Sequence, residues 1–449
     1  MKQLFAVLIL SAICFAQVWQ AEIIEDHTGI GSECDIEIDS SNNLCVSYEY
    51  MHGHLGNSAV KYAFNENDSG PWVLTTVGSG EYTGYFNELA LDSSDNPHIS
   101  YAWDVDWEYI PMLNYASFDG SNWNIESLTG TSEYVEANTT IGIDSNDYPH
   151  IIYNNTGGLN HRWQDASGWN YELVSSGSCE SPHLVIDSND NIHVIFSRAA
   201  TDEMTYAVKS TDWSFEVIET TTGFYESSDI DMVLDSNGYA HAVYRAGEHD
   251  LRYASNNGSG WNVENIHTDA LGYPSIDIDS AGGLHVSFSI YTTESNRPLV
   301  YSYNSGSGWV TVEIDPTVKC WNTAIAVDNN DIPHIIYYDF SDGLTKHAWL
   351  DPMGIDDTAS PVQLTGFALH PAYPNPSNGN ATITFATPHA ADVNLSIYDI
   401  TGRMVTTLVD EALNEGSHSA NVTNLASGIY FCRLTTDTFT STEKLVVSR

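Results

Sequence analysis

Leu184-Val185-Ile186-Asp187, the polar turn Ser188-Asn189-Asp190-Asn191, and then His193 make one copy of a phrase that this chain repeats seven times. The other copies of its apolar arm are Ile36-Glu37-Ile38-Asp39, Leu89-Ala90-Leu91-Asp92, Ile141-Gly142-Ile143-Asp144, Met232-Val233-Leu234-Asp235, Ile276-Asp277-Ile278-Asp279 and Ile325-Ala326-Val327-Asp328. Six positions after the Asp stand His98, His150, His193, His241, His285 and His334; the first copy has Cys45 there. Successive Asp anchors lie 43 to 53 residues apart. A period of that size, with four short alternating segments per copy, is what a β-propeller blade requires.

In the second copy the four strands read as 89–92, 98–101, 113–116 and 123–128, and Asp92-Ser93-Ser94-Asp95-Asn96-Pro97 between the first two is turn chemistry. Trp72, Trp123, Trp169, Trp213, Trp261 and Trp309 each open a fourth strand, but the seventh copy has none downstream. Trp19-Gln20-Ala21-Glu22-Ile23-Ile24 has the missing form, and Trp19 precedes Asp39 by 20 residues where the other intervals run from 18 to 22. The N-terminal strand is therefore expected to complete the seventh blade and remove an open edge. The expected fold is all-β: a seven-bladed β-propeller over residues 17–352 closed by the N-terminal strand, a linker over 353–366, and a small immunoglobulin-like β-sandwich over 367–449.

Lys2, the apolar run 4–15 and Cys14-Phe15-Ala16 read as a signal peptide over residues 1–16, cut after Ala16. The run is too short to span a bilayer, and no later segment reads as a span. The chain is thus expected to be secreted or held on the cell surface. Its formal net charge is −46, from 14 Lys plus Arg against 60 Asp plus Glu. Such a surface repels phosphate backbones and anionic membranes, so no nucleic-acid partner is expected; cations, neutral glycans and basic proteins stay open. Cys34, Cys45, Cys179, Cys320 and Cys432 are an odd, thinly spread set and make no disulfide scaffold.

Near the C-terminus come Tyr373-Pro374-Asn375-Pro376, Ile397-Tyr398-Asp399 with Gly402, Ser427-Gly428-Ile429-Tyr430, and a terminal strand with Lys444. These motifs closely resemble the C-terminal sorting domain of type IX secretion substrates, over roughly residues 367–449. The resemblance implies that secretion machinery is a partner, with export through the outer membrane of a Gram-negative cell. It also implies, in many such substrates, removal of this domain and attachment to surface lipopolysaccharide. Within the repeats, Ser302-Tyr303-Asn304-Ser305-Gly306-Ser307-Gly308-Trp309 resembles a degenerate Asp-box of sialidase-like propellers. Ala254 to Trp261 is a weaker copy, and Gly120 with Trp123 keeps only part. That box is a structural hairpin in its family, so it implies fold and not activity.

The pairs Asp92/His98, Asp144/His150, Asp187/His193, Asp235/His241, Asp279/His285 and Asp328/His334 read as a structural ladder across each first hairpin. Chemistry is rarely built in six copies, and WD-repeat proteins use a comparable Asp–His network. The Asx-rich turns 144–147 and 187–191 lack the Gly and Glu of a helix–loop–helix calcium site, with Asn155 and Arg198 at the twelfth places. No metal, cofactor or catalytic residue is assigned. The repeat breaks down in the loops between second and third strands and between one copy and the next. Trp103, Trp107, Arg198, Arg245 and Trp321 stand there, with Arg297 and Asp339 nearby. Aromatic faces with a few charged groups are how sugars are held, so the expected function is glycan binding on that face. A sialidase-like or other glycan-cleaving enzyme is the alternative, and a purely structural or protein-binding surface module is the third. Many acids are present, but nothing selects a pair for hydrolysis.

Overall fold

A computed structural model of the chain describes residues 3–4, 18–25, 33–52, 57–66, 71–80, 83–104, 111–130, 133, 135–220, 230–247, 249–292, 296–306, 308–351, 368–369, 381–387, 390–400, 403–413, 416–422, 425–436 and 439–447. The signal peptide apart from residues 3–4, the linker 353–366, Trp107, the 373–376 motif and Gly402 lie outside the described residues. The chain divides into two compact units, Trp19–Leu350 with the first five residues and Asp351–Arg449 with residues 6–18. No helix among the described residues is long and apolar enough to cross a membrane.

Among the described residues the first unit contains seven antiparallel sheets. Sheets 1 to 6 each use four consecutive strands, running from Cys34–Ile38 in sheet 1 to Val310–Asp315 in sheet 6. Sheet 7 takes Cys320–Val327, Pro333–Asp339 and Leu344–Asp351, and its fourth strand is Val18–Glu25 from the other end of the chain. A short bridge from Gln3 and Leu4 to Ala21 and Gln20 extends that sheet. The first strands neighbour one another in sequence order, and the first strand of sheet 7 neighbours that of sheet 1.

Alternation explains the packing. Residues one and three positions before each Asp face the preceding sheet, and those two and four before it face the following sheet and also border the central channel. Seven apolar clusters result, each shared by two adjacent sheets. Ile36, Val46 and Tyr48 of sheet 1 thus share a cluster with Ala324, Ala326 and Ile336 of sheet 7, and with Ile24. Fully burying one such Ile, Val or Leu is worth about 1.5–3 kcal/mol.

The first strands begin earlier than the alternation suggests. In sheet 2 the strand is Thr83–Leu91, with its register broken between Tyr85 and Glu88. Six residues before the Asp, Phe86, Asn138, Ser181 and Tyr273 take φ of 50 to 54°. This is a left-handed bulge that a period-two pattern does not announce.

Two further sets of contacts stitch the sheets together. On the turn face, the Ser following one Asp anchor reaches the next sheet: Ser40 bonds Asp95, Ser93 bonds Asp147, Ser145 bonds Asp190 and Ser280 bonds Asp331, each through backbone N and hydroxyl. Asn329 N donates to Asn42 and joins sheet 7 to sheet 1. The accepting position has φ of 59 to 84° in all seven copies, which is why only Asn, Asp and Gly occupy it.

On the outer wall, each fourth-strand Trp meets a third-strand ring of the preceding sheet. The pairs are Trp72–His347, Trp123–Tyr62, Trp169–Tyr115, Trp213–His161, Trp261–Tyr206, Trp309–Tyr253 and Trp19–Tyr301, with centroids 5.0 to 5.9 Å apart and near-perpendicular planes. Five of these indoles also donate to a Glu three residues beyond the preceding sheet's Trp: Trp72 to Glu22, Trp169 to Glu126, Trp213 to Glu172, Trp261 to Glu216 and Trp309 to Glu264.

The second unit has three strands in one sheet, Ala368–Leu369, Ala381–Thr387 and Gly416–Val422. Four more, in the order Met404–Leu413, Ala391–Asp399, Gly428–Thr435 and Thr440–Val447, make another. Ile383, Phe385, Val422, Leu395, Ile397, Cys432 and Leu445 form a common core between them.

Trp19 is fully buried and its Nε1 has no acceptor. The residue at the matching place in sheet 6 is Val312, where five sheets carry Glu and sheet 1 carries Thr75. Val312→Glu should supply the acceptor and stabilise the first unit by about 0.5–1.5 kcal/mol. All 12 tryptophans precede residue 351, so indole fluorescence during denaturation reads this unit. An unchanged or lower midpoint would contradict the pairing.

Candidate functional site

The inward positions are not equivalent. Four residues before the Asp, sheets 1 to 7 carry Asp35, Glu88, Thr140, His183, Asp231, Ser275 and Ala324. Two before it they carry Glu37, Ala90, Gly142, Val185, Val233, Asp277 and Ala326. First strands of all seven sheets line one central cavity of about 400 Å³. Its mouth, on the end where first strands begin, is bounded by Glu33, Phe86, Asn138, His183, Asp231 and Asn322 among others.

His183 is the basic group amid these acids: Nε2 lies 3.1 Å from Asp231 and Nδ1 3.5 Å from Glu88. Burial opposes its charge, but Asp231, Glu88 and Asp35 outweigh it and hold its pKa at about 9. Burial first, then the Glu88 charge, raises Asp35 to about 7. Burial similarly raises Asp277 to about 6 and lifts Glu33 and Glu37 well above the carboxylate range.

Most of these polar groups are struts. Leu89 N donates to Asp35 (2.8 Å), Ile141 N to Glu88 (3.3 Å), Leu184 N to Thr140 (3.0 Å), Ile276 N to Asp231 (2.8 Å), Ile325 N to Ser275 (3.1 Å) and Val327 N to Asp277 (2.6 Å). Each bond crosses from one sheet to the next. Asp35 and Asp231 each accept a second backbone N–H as well, from Ile36 and Met232.

At the opposite end, each Asp anchor binds its own turn. Asp187 Oδ1 accepts from Asn189 N and Asn191 N, both at 2.8 Å. His193 lies between this Asp and the third strand, with Nε2 3.4 Å from Asp187 and Nδ1 2.5 Å from the Tyr206 hydroxyl. The corresponding imidazole–carboxylate distances are 3.5 Å for Asp92/His98 and Asp144/His150, 3.8 Å for Asp235/His241, 3.2 Å for Asp279/His285 and 3.7 Å for Asp328/His334. On the far side, His98, His241 and His285 meet Tyr115, Tyr253 and Tyr301; His150 and His334 meet His161 and His347. The chain Asp–His–Tyr(or His)–Trp therefore runs from the turn face to the neighbouring sheet.

Of the five ligand-face residues, the four that are described separate. Trp103 pairs with Thr83 and Met112 in the backbone of sheet 2. Arg198 lies over Phe196 and Phe215 of its own sheet, at 5.4 and 5.5 Å, and joins no group with the others. Arg245 Nη1 donates to Leu271 O of sheet 6 (2.6 Å), two residues before Tyr273. Trp321 is the centre of a cluster. Arg297 lies over its indole at 4.4 Å, Tyr273 and Phe340 flank it at 6.2 and 6.3 Å, and Lys319 lies 4.9 Å from the Phe340 ring. The backbone is tied as firmly: Arg297 N donates to Val318 O, Cys320 N to Arg297 O, and Phe340 N to Lys319 O.

Sequence reasoning missed the inward ring and the grouping about Trp321. The ring was signalled by acids placed where the repeat elsewhere has small residues. The grouping was signalled by Tyr273, Arg297, Lys319, Trp321 and Phe340 all falling in loop positions of two successive copies. In the hairpin resembling an Asp-box, Asn304 Oδ1 accepts from Gly306 N and Gly308 N. Asp119 plays the same part before Trp123, accepting from Ser121 N and Asn122 N.

Residues 371–448 match the family described as the secretion system C-terminal sorting domain, so the chain carries that domain at this end. No curated protein matches the chain. Similar solved structures include the Hadza microbial sialidase Hz136, 11% identical with a TM-score of 0.43, covering 71% of this chain and 65% of that one, less than two thirds of its length. The six-bladed fucose-recognising lectin of Aleuria aurantia is 14% identical with a TM-score of 0.43, covering 66% and 98%. The intramolecular trans-sialidase from Ruminococcus gnavus is 11% identical with a TM-score of 0.42, covering 73% and 95%.

The inward ring has a pH signature. The folded pKa of Asp35 lies above its ordinary value of 3.8, at about 7. Its protonation therefore favours the fold fully below about pH 4, and that stability is lost as pH rises to about 7. Asp35→Asn should flatten the decline of unfolding free energy across this window, measured by denaturant titration at fixed ionic strength. Parallel curves for variant and parent would refute the assignment.

Proposed function

We propose that this chain is an exported seven-bladed propeller, closed by its N-terminal strand, that binds a glycan without cleaving it. Residues 17–352 form the propeller, 353–366 the linker, and 367–449 the sorting domain read by type IX secretion, which delivers the protein to the outer surface of a Gram-negative cell or beyond it. The Asp–His pairs belong to the scaffold. The ligand end is the one carrying the first-strand entrances and the loops between second and third strands.

The observation that carries this reading is the row Tyr273, Trp321 and Phe340, whose rings lie 6.2 and 6.3 Å apart beside Arg297 and Lys319. Phe340 is 46% exposed, which leaves a ring face for the apolar side of a sugar. Backbone bonds hold these side chains in place before any ligand arrives, so little ordering entropy is lost on binding. Cleavage would need carboxyl groups free to reach the scissile bond. Asp35 and Asp231, two of the four acids at the channel mouth, each spend two acceptor sites on backbone N–H groups, and Glu88 accepts from Ile141 N, which supports binding over hydrolysis.

A glycan array probed with the full chain should give retention without released sugar. Trp321→Ala should then weaken the retained ligand by about 1–3 kcal/mol in calorimetry. Turnover on the array would favour an enzyme, and the absence of any retained glycan would favour a protein-binding module. Separately, a chain lacking residues 371–448 should fold but remain in the periplasm on fractionation; normal delivery of the truncated chain would overturn the export reading.

A further inference from the structure

The chain has 14 basic side chains for 60 acidic ones, so a partner for each is close at hand. In the first unit the usual outcome is pairing: Lys61 with Glu25, Arg162 with Glu133, Lys209 with Glu172, Arg252 with Glu219 and Asp250, and Lys346 with Asp339 and Asp342. Arg198, Arg297 and Lys319 break this rule, and the last two stand together. Neither meets a carboxylate among the described residues, although Asp339 accepts from the backbone N of Lys319 at 3.2 Å. Arg297 Nε and Nη1 are buried and have no acceptor. Buried donors of this kind are normally satisfied.

The two cations are held side by side, because Arg297 and Lys319 form a parallel bridge through their backbones. One lies over Trp321 and the other over Phe340. Tyr291, 40% exposed, stands at the edge of the same sheet, where its N donates to Asp269 O and its ring stacks on His249 at 6.0 Å. A charged fork and an ammonium beside open aromatic rings form a receptor for a flat apolar face with an anion at its edge.

We infer that the Trp321 cluster recognises an anionic sugar, whose carboxylate or sulfate is taken by Arg297 and Lys319 while its ring lies against the neighbouring aromatic side chains. This rests on the glycan reading and narrows it. The net charge of −46 opposes any anionic ligand at long range and is screened by salt. The contact therefore has to be local, and two unpaired cations at one point provide it.

The test uses the full chain and calorimetry at physiological salt with two matched pairs of probes: oligogalacturonate against its methyl ester, and dextran sulfate against dextran. At least one acidic probe should bind about tenfold or more tightly than its neutral counterpart. Which pair shows the preference distinguishes carboxylate from sulfate. The double variant Arg297→Gln, Lys319→Gln should lose that preference, its affinities for the acidic and neutral members of the pair converging. Equal affinity for acidic and neutral members of both pairs would overturn the anionic assignment and leave glycan binding intact. Failure of all four probes and of the glycan array together would overturn both. A preference surviving in the double variant would show that other residues carry it.

Discussion

The contact of a fourth-strand Trp with the Tyr or His of the preceding sheet is the interaction on which the first unit depends. A four-stranded sheet buries neither face alone, and here every sheet obtains its cover from two neighbours. The Trp contact occurs at all seven junctions, including Trp72 on His347 and Trp19 on Tyr301, which tie the two ends of the unit together. It also explains the ladder behind it. The Tyr or His that receives the indole edge is held by the first-hairpin His, and that His stands against the Asp anchor, as in Trp261–Tyr206–His193–Asp187. Sheet 1 tolerates Cys45 in place of His because its Tyr62 still meets Trp123. Burial holds the ladder imidazoles of His98, His193 and His241 below their ordinary pKa, so they fit the scaffold in the uncharged form.

Repetition and function separate along the axis of the sheets. At the turn end, Asp anchors, Asn side chains and Ser hydroxyls satisfy one another from sheet to sheet. In the channel, backbone N–H groups take up the carboxylates and His183 offsets part of their charge. At the third location, the loops between sheets 6 and 7, polar capacity is left over. Arg297 and Lys319 meet no carboxylate among the described residues of a chain rich in them, and rings remain open beside them. A scaffold that consumes its own hydrogen-bonding groups makes such a remainder conspicuous.

Much of this architecture is legible in the sequence, because the period, the Asp-to-His spacing and the Trp intervals are all local patterns. Val18–Glu25 could be assigned to the last sheet from Trp19 alone, since the spacing of that residue to Asp39 matches the rest. The channel ring was harder to see. In Ile36-Glu37-Ile38-Asp39 the eye follows the apolar residues that pack between sheets, whereas the inward acids occupy the alternate places and look like solvent-facing filler. The bulges at Phe86 and Tyr273 shift register inside strands that otherwise alternate, and Gly84, and Gly272 with Pro274, are their local sign. The grouping about Trp321 brings together four segments, at Tyr273, Arg297, Lys319 to Trp321 and Phe340, which no local pattern encodes. Arg198 and Arg245 were equally plausible by sequence, yet Arg198 lies on Phe215 and Arg245 serves the Leu271 carbonyl.

Backbone hydrogen exchange with and without oligogalacturonate would decide which end of the propeller does the work. Ligand should slow exchange at Arg297, Lys319 to Trp321 and Phe340, and leave the turns 39–43 and 187–191 unchanged. Slowing confined to those Asp turns, with the Trp321 loops unaffected, would mean that the repeated end is the binding face and that the unpaired cations serve some other purpose.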